Sequence, residues 1–386
     1  MSLEELQAHS PLGPSSAERW LVCPGSVKAT AGLKDTSSVF AAEGTFAHYI
    51  SELARKANVP AKDFIGTSTD KDAEHQFTCD ADMAAHVQYF LDYEAQFEAD
   101  DRLIEARVNY NAWVEDGFGT LDAGLLNDGT CIIIDLKYGK GIQIFAEDNA
   151  QLKLYALGLY QEYYELYDIK RFKLCICQPR LNHIDEWEID TDTLLVWANE
   201  VVEPAADLAA QDDAPFKAGE HCQWCKIKAT CETRSRAYKD LMLDEIEDIR
   251  DPAEMGNAEL GELASLIPLM QKWAKDVMAL VEKLVIQGEE IIGSDGLPFK
   301  MVAGRAMRSW RDADAAEKAL KAHKIKVADM YTKKLISPAM AEKLLGKKHP
   351  ILVKQVLTGN SKPALVSGSD KRPAFKASKD EMDSYE

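Results

Sequence analysis

Phe118-Gly119-Thr120-Leu121-Asp122-Ala123-Gly124-Leu125-Leu126 runs through Asn127-Asp128-Gly129 into Thr130-Cys131-Ile132-Ile133-Ile134-Asp135-Leu136-Lys137. Two apolar runs flanking a turn-forming triplet predict a β-hairpin with strands over 118–126 and 130–137. Asp122 and Asp135 stand at matched distances from the turn, so the hairpin brings them together. Lys137, two residues beyond Asp135, leaves the strand on the same face.

Two carboxylates and an ammonium on one patch repel or titrate unless something compensates them. A divalent cation relieves the repulsion, and Asp oxygens suit Mg²⁺ or Mn²⁺. Such an ion activates a bound water and polarises a phosphoryl oxygen, and Lys137 can orient that water or offset charge in the transition state. The plainer alternative is a hairpin with a solvated Asp–Lys pair, since short D-x-K strings are common.

Working outward, Glu43-Gly44-Thr45-Phe46-Ala47-His48 lies upstream and Gln151-Leu152-Lys153-Leu154-Tyr155 downstream. Together with G-T-x-D and D-L-K they reproduce, in order, the G-x-x-x-H, G-x-x-D, D-x-K and Q-x-x-x-Y motifs of a known superfamily. Over roughly residues 12–235, the chain resembles the RecB-like branch of the PD-(D/E)XK nucleases. Each motif alone is weak; the ordered set is specific. The resemblance implies an α/β restriction-endonuclease-like core, a central mixed sheet flanked by helices. It implies that Asp122, Asp135 and the Leu136 carbonyl hold Mg²⁺ or Mn²⁺, that His48 completes or supports the site, and that Lys137 positions water. Gln151 and Tyr155 would then contact DNA. Lys140, in the glycine-bearing turn Lys137–Gly141, is a candidate phosphate contact, although the glycines also simply permit a turn.

The chain has 8 Cys. In a chain of this size without secretory features, clustered Cys point to metal rather than disulfides. Cys222, Cys225 and Cys231 have the spacing C-x2-C-x5-C, three ligands where Fe–S clusters and one class of zinc site use four. Cys23, about 200 residues upstream, is the outstanding candidate. This layout resembles the iron–sulfur nucleases of the same branch, the AddB-type and CRISPR-associated adaptation nucleases, and implies a 4Fe–4S cluster held by Cys23, Cys222, Cys225 and Cys231. Zn²⁺, with His221 as an optional ligand, is the competing expectation. Cys131, Cys175 and Cys177 fall in strands and read as small buried hydrophobes.

The 386 residues suffice for more than one structural unit. The expected organisation is a nuclease domain over 1–235, a helical basic module over 236–360 and a flexible tail over 361–386. No apolar run reaches membrane-spanning length and Met1–Ser10 is polar, so a cytoplasmic protein without a membrane partner is expected. A net charge of −19 argues against nucleic-acid binding until its distribution is considered. Residues 321–376 carry 13 Lys or Arg against 3 Asp or Glu, a net of +10 that leaves −29 on the other 330 residues. An acidic body with a basic terminal region suits local capture of DNA; a set of solvated surface helices is the bland alternative.

Helices are predicted over 40–57, 81–100, 147–167, 192–211, 233–247, 257–287, 313–323 and 337–345. Strands are predicted over 103–110, 171–178, 183–188 and 301–310. Glu105, on the first of these strands, is a reserve site residue, and Glu52 shares the His48 face of its helix. As a whole the chain resembles a phage-type family in which such a nuclease core precedes a basic module. That resemblance implies a metal-dependent DNA exonuclease in recombination or end resection, DNA as partner, and a phage single-strand annealing protein beside it. It also admits a homo-oligomer. A non-catalytic DNA-binding or scaffold protein on a nuclease fold is the alternative; intact Asp122, Asp135 and Lys137 argue against it.

Overall fold

A computed structural model describes residues 10–33, 39–71, 73–238, 256–303, 308–330, 336–346, 349–358 and 364–366. The chain forms two compact units, Met1–Trp273 and Ala274–Glu386. Much of the predicted tail beyond Gly359, and the 233–247 helix beyond 238, lie outside the described residues.

The first unit is a mixed α/β layer structure. Helices α1 (Val39–Ala57) and α2 (Ala81–Glu94) precede strands β1 (Asp101–Asn109), β2 (Phe118–Leu126) and β3 (Thr130–Leu136). Helix α3 (Ala150–Tyr167) crosses over to β4 (Arg171–Gln178), and β5 (His183–Asp190) follows. The five strands lie in the order β1-β2-β3-β4-β5. Only β3 and β4 run parallel, the pair joined by the helical crossover, as a parallel pair requires. The predicted hairpin is present, and Gly129 takes φ +79° in its turn, a conformation open to Gly at little cost.

The central strand β3 is buried from Cys131 to Leu136 because helices cover both faces of the sheet. Leu121, Cys131 and Ile133 pack with Leu152, Tyr155 and Leu159 of α3. Ala123, Leu125, Ile132, Ile134 and Leu136 pack with Phe90 and Tyr93 of α2. Helix α3 starts where the Asn149 side chain accepts from the Leu152 amide, three residues later than predicted. Gly119, of the G-T-x-D motif, lies where a Cβ would meet the Pro14 ring at 2.5 Å and Tyr155 at 3.0 Å. That close approach seats β2 under α3.

Several boundaries differ from expectation. Helix α2 ends at Glu94 rather than at residue 100, and the Asp100 amide is instead taken by the Leu126 carbonyl and the Asn127 side chain at the start of β1. The predicted 192–211 helix is interrupted by a π-turn at Ala198–Val202 between α4 (Thr191–Trp197) and α5 (Glu203–Ala210). The long helix is α6 (Asn257–Ile286). The predicted 301–310 strand is two short ones, β6 (Lys300–Val302) and β7 (Arg308–Trp310), which pair with Ala364–Val366 and Val356–Thr358 respectively. Among the described residues no helix is long and apolar enough to cross a membrane.

Candidate metal centre

The β2–β3 ladder pairs Leu125 with Ile132 through to Ala123 with Ile134 and then stops. Continued by one step it would set Asp122 opposite Asp135. Where it stops, the Leu136 amide loses its ladder partner and donates instead to Asp122 Oδ2 at 2.6 Å. This register leaves both aspartates at the same end of the hairpin, one step beyond the paired residues.

A second irregularity sits on the neighbouring strand. Glu105 has φ +45° in the middle of β1, and the β1–β2 register skips the pair it would form with Asp122. Left-handed backbone at a non-glycine residue costs on the order of 1–3 kcal/mol and persists only where its surroundings enforce it. One consequence is visible in packing. Leu121 and Leu126 are an odd number of residues apart yet join the same core cluster, so β2 changes face once between them.

Arg55 enforces the kink. Its Nη1 donates to the Asp122 carbonyl at 2.7 Å, and its Nη2 to Glu105 Oε1 at 3.1 Å. Glu94 Oε2 stands 3.6 Å from Nη1, and the Phe90 ring lies beneath the guanidinium, 5.2 Å from it. The guanidinium thus satisfies a carbonyl released from the ladder and steadies the kinked residue's carboxylate. Arg55 follows His48 by seven residues, two helical turns, so the apolar stripe of α1 (Phe46, Ala47, Ile50, Ala54) that packs inward aims both at the sheet.

His48 Nδ1 lies 3.1 Å from Asp122 Oδ1 and 3.8 Å from Glu105 Oε1. Among the described residues, His48, Glu105 and Asp122 are the group of metal-ligand atoms lying within 4.8 Å of one another. Glu52 is not the partner of His48: it pairs with Lys56 at 2.5 Å. Glu43, at the start of the motif that ends in His48, pairs with Arg180 at 2.7 Å.

Asp135 and Lys137 form the other half of the site. Asp135 is buried, with its Oδ2 2.9 Å from Lys137 Nζ. That contact is an ion pair without hydrogen-bond alignment, and Oδ2 has no other donor. Lys137 Nζ donates to Gln151 Oε1 at 2.7 Å. Gln151 Nε2 donates to Asp135 Oδ1 at 3.2 Å and to the Tyr155 hydroxyl at 3.1 Å. Tyr155 is buried rather than open to solvent, and Lys140 lies exposed in the loop after β3. That loop is strapped to β4 by Gln178, which accepts from the Ile144 amide at 2.7 Å and donates to the Ile142 carbonyl at 2.9 Å.

Electrostatics follow from this crowding. Burial pushes the Asp135 carboxyl up, Asp122 adds to the rise, and Lys137 only partly opposes it. Burial pushes Glu105 up as well, against His48 and Arg55. For Asp122 burial is outweighed by His48, the Leu136 amide and Lys137, so its carboxyl is held low. Burial disfavours a charged His48, but Asp122 and Glu105 overcome it and push the imidazole up to about 10 from 6.5. Because the folded value is the higher one, the His48 charge stabilises the fold fully below about pH 6.5, and that contribution disappears as pH rises through about 10. Metal-free protein is therefore expected to lose stability across that window in urea melts with a chelator, and His48→Gln to flatten the profile. A pH-independent wild type contradicts this account.

The four cysteines named from sequence gather at a separate place. Cys23, Cys222, Cys225 and Cys231 line one cavity with Arg19, Lys217, His221, Lys228 and Arg234. All four are free thiols. Burial raises the Cys23 thiol, but His221 and the Lys217 and Ser26 amides outweigh it and hold it low. Burial keeps Cys225 high, against the Ile227 amide and Arg19. Cys131, Cys175 and Cys177 are buried in strands, as expected of small hydrophobes.

Sequence reasoning missed Arg55 and Glu94 and left Glu105 in reserve. The seven-residue spacing from His48 to Arg55 was the available signal. A family model described as "Protein of unknown function (DUF2800)" matches residues 9–373. The chain is also similar to a solved structure titled "Crystal structure of SSO0001", with 14% identity, 60% of this chain and 91% of that chain covered, and a TM-score of 0.27.

Proposed function

Since the chain belongs to the DUF2800 family, whose description assigns no reaction, we propose from the site itself that it is a metal-dependent deoxyribonuclease that hydrolyses phosphodiester bonds at DNA ends. The observation that carries this reading is the meeting of His48, Glu105 and Asp122 within 4.8 Å beside the Lys137–Asp135 pair. The donor set fits a hard divalent ion: two carboxylates and an imidazole, with Asp135 and the Leu136 carbonyl as the further ligands the resemblance implies. Mg²⁺ or Mn²⁺ held there would supply Lewis acidity toward a phosphoryl oxygen and a more acidic water. Glu105 thereby joins the ligands expected from sequence.

The chain's own groups then have distinct tasks. Asp122, held low, offers a charged oxygen; Arg55 fixes the backbone that presents it. His48 must shed its proton to act as a ligand, so metal capture is coupled to proton release. Lys137 brings a cation to the position where an attacking water and a developing phosphoryl charge would need one.

Protein incubated with end-labelled linear and circular DNA in Mn²⁺ is expected to degrade the linear form, and a chelator to stop it. Intact linear DNA in both Mn²⁺ and Mg²⁺ would remove the reading.

For the cysteines we propose an iron–sulfur cluster. Four thiols around one cavity suit it, and the surrounding Arg19, Lys217, Lys228 and Arg234 offset thiolate charge. Its role would be to join the two ends of the nuclease region, closing a loop of about 200 residues. Anaerobically purified protein is expected to be brown, absorbing at about 400 nm, and Cys23→Ser to bleach it; colourless protein holding zinc would favour the other metal.

A further inference from the structure

We infer that Gln151 is a positioning residue, its amide locking the Lys137 ammonium to the Asp135 carboxylate, and that it is not a contact for the DNA strand. This deepens the nuclease reading and rests on it. A phosphate only accepts hydrogen bonds, so a side chain that grips it must have a donor to spare. Glutamine has two amide donors. Both donors of Gln151 are committed inside the protein, one to Asp135 Oδ1 at 3.2 Å and one to the Tyr155 hydroxyl at 3.1 Å. Its oxygen is the acceptor for Lys137 Nζ at 2.7 Å.

The orientation of the amide is forced by its neighbours. An ammonium offers donors and no acceptor, and an ionised carboxylate the reverse. The oxygen must therefore face Lys137 and the nitrogen Asp135; a flipped amide would oppose like with like at both ends. The same nitrogen also donates to the Tyr155 hydroxyl at 3.1 Å, a partner that either amide orientation could satisfy. The Tyr155 ring is only 5% exposed and lies against Gly119, where a Cβ would come within 3.0 Å, so it cannot swing out to a strand.

Lys137 gains most from this arrangement. Its other tie is the Asp135 Oδ2 contact at 2.9 Å, which lacks hydrogen-bond alignment. A lysine held only by that contact keeps the mobility of a four-carbon stem. The Gln151 oxygen supplies the second point that fixes where the ammonium sits.

Steady-state kinetics on linear duplex DNA in Mn²⁺ separates the two roles. Gln151→Met preserves side-chain length and removes every hydrogen bond. It is expected to lower kcat about 10- to 100-fold, the usual effect of losing a group that orients a site residue, with KM within about twofold. Gln151→Glu keeps an acceptor for Lys137 but sets a carboxylate against Asp135, and should be at least as slow. Tyr155→Phe, the milder change, should lower kcat in the same direction without touching KM. Affinity for the same DNA in Ca²⁺, measured without cleavage, should not change in any variant. A tenfold loss of that affinity, or a raised KM at unchanged kcat, overturns the inference and leaves the nuclease reading standing. An inactive wild type in Mn²⁺ and Mg²⁺ removes the nuclease reading and the inference with it.

Discussion

Asp122→Asn is expected to reduce Mn²⁺-dependent DNA cleavage by on the order of 10³-fold or more, while the protein stays folded. The substitution is almost isosteric. An amide oxygen can still accept from the Leu136 amide, which Oδ2 now does at 2.6 Å, and the backbone carbonyl still meets Arg55 at 2.7 Å. What disappears is the formal charge next to His48, 3.1 Å away, in the group that would hold the ion. Removing a single preorganised electrostatic group already costs about 10²–10³ in rate at other sites, and a metal ligand carries more of the field. Lys137→Met is the informative companion. It should slow cleavage comparably yet leave Mn²⁺ affinity, read by titration calorimetry, near wild type, because Lys137 is no ligand. Wild-type cleavage by Asp122→Asn sinks the assignment. DNA retained by the wild type without cleavage in either metal would favour a binding or scaffold protein.

The hairpin that carries these residues was legible because its signals are local. Two apolar runs, an Asn-Asp-Gly turn and matched spacing suffice to predict the antiparallel hairpin, whose pairing runs from Leu125–Ile132 to Ala123–Ile134 and stops one step short of the two aspartates. The helix with Gln151 and Tyr155 was equally plain from its length and apolar residues, although the expected start at residue 147 overlooks the Asn149 cap. Glu105 could only be named as a reserve candidate, because nothing in Leu103–Tyr110 announces a left-handed residue. That conformation is held by Arg55, fifty positions upstream, and by the stopped pairing with Asp122. The split of the predicted 301–310 strand fails for the same reason: its halves take partners at 364–366 and 356–358, which no local window contains. Gln151 was obscured differently: its residue type and helical face fit a DNA contact as well as an internal brace, and that both amide donors are taken up inside the protein is visible only in the folded chain.

Arg55→Ala is expected to destabilise the first unit by about 3–5 kcal/mol, the range for removing one partner from a buried ion pair. Arg55 is 6% exposed in its side chain, and its partners Glu94 and Glu105 are 7% and 17% exposed, so water offers little replacement. Three losses coincide: Glu105 Oε1 and the Asp122 carbonyl lose their donor, and Glu94 keeps only Arg102 at 3.3 Å. The left-handed backbone at Glu105 adds to the cost, because its strain is sustained only while that carboxylate is held in place. Arg55→Met separates charge from volume, since it keeps the packing on Phe90 and should still lose most of the stability. Glu94→Gln and Glu105→Gln in that background should recover part of it, because the buried charges that Arg55 balanced are then gone. Urea unfolding at constant m-value is the measurement. A loss below about 1 kcal/mol for Arg55→Ala would place the pair in the range of exposed salt bridges, and the kink at Glu105 would need another cause.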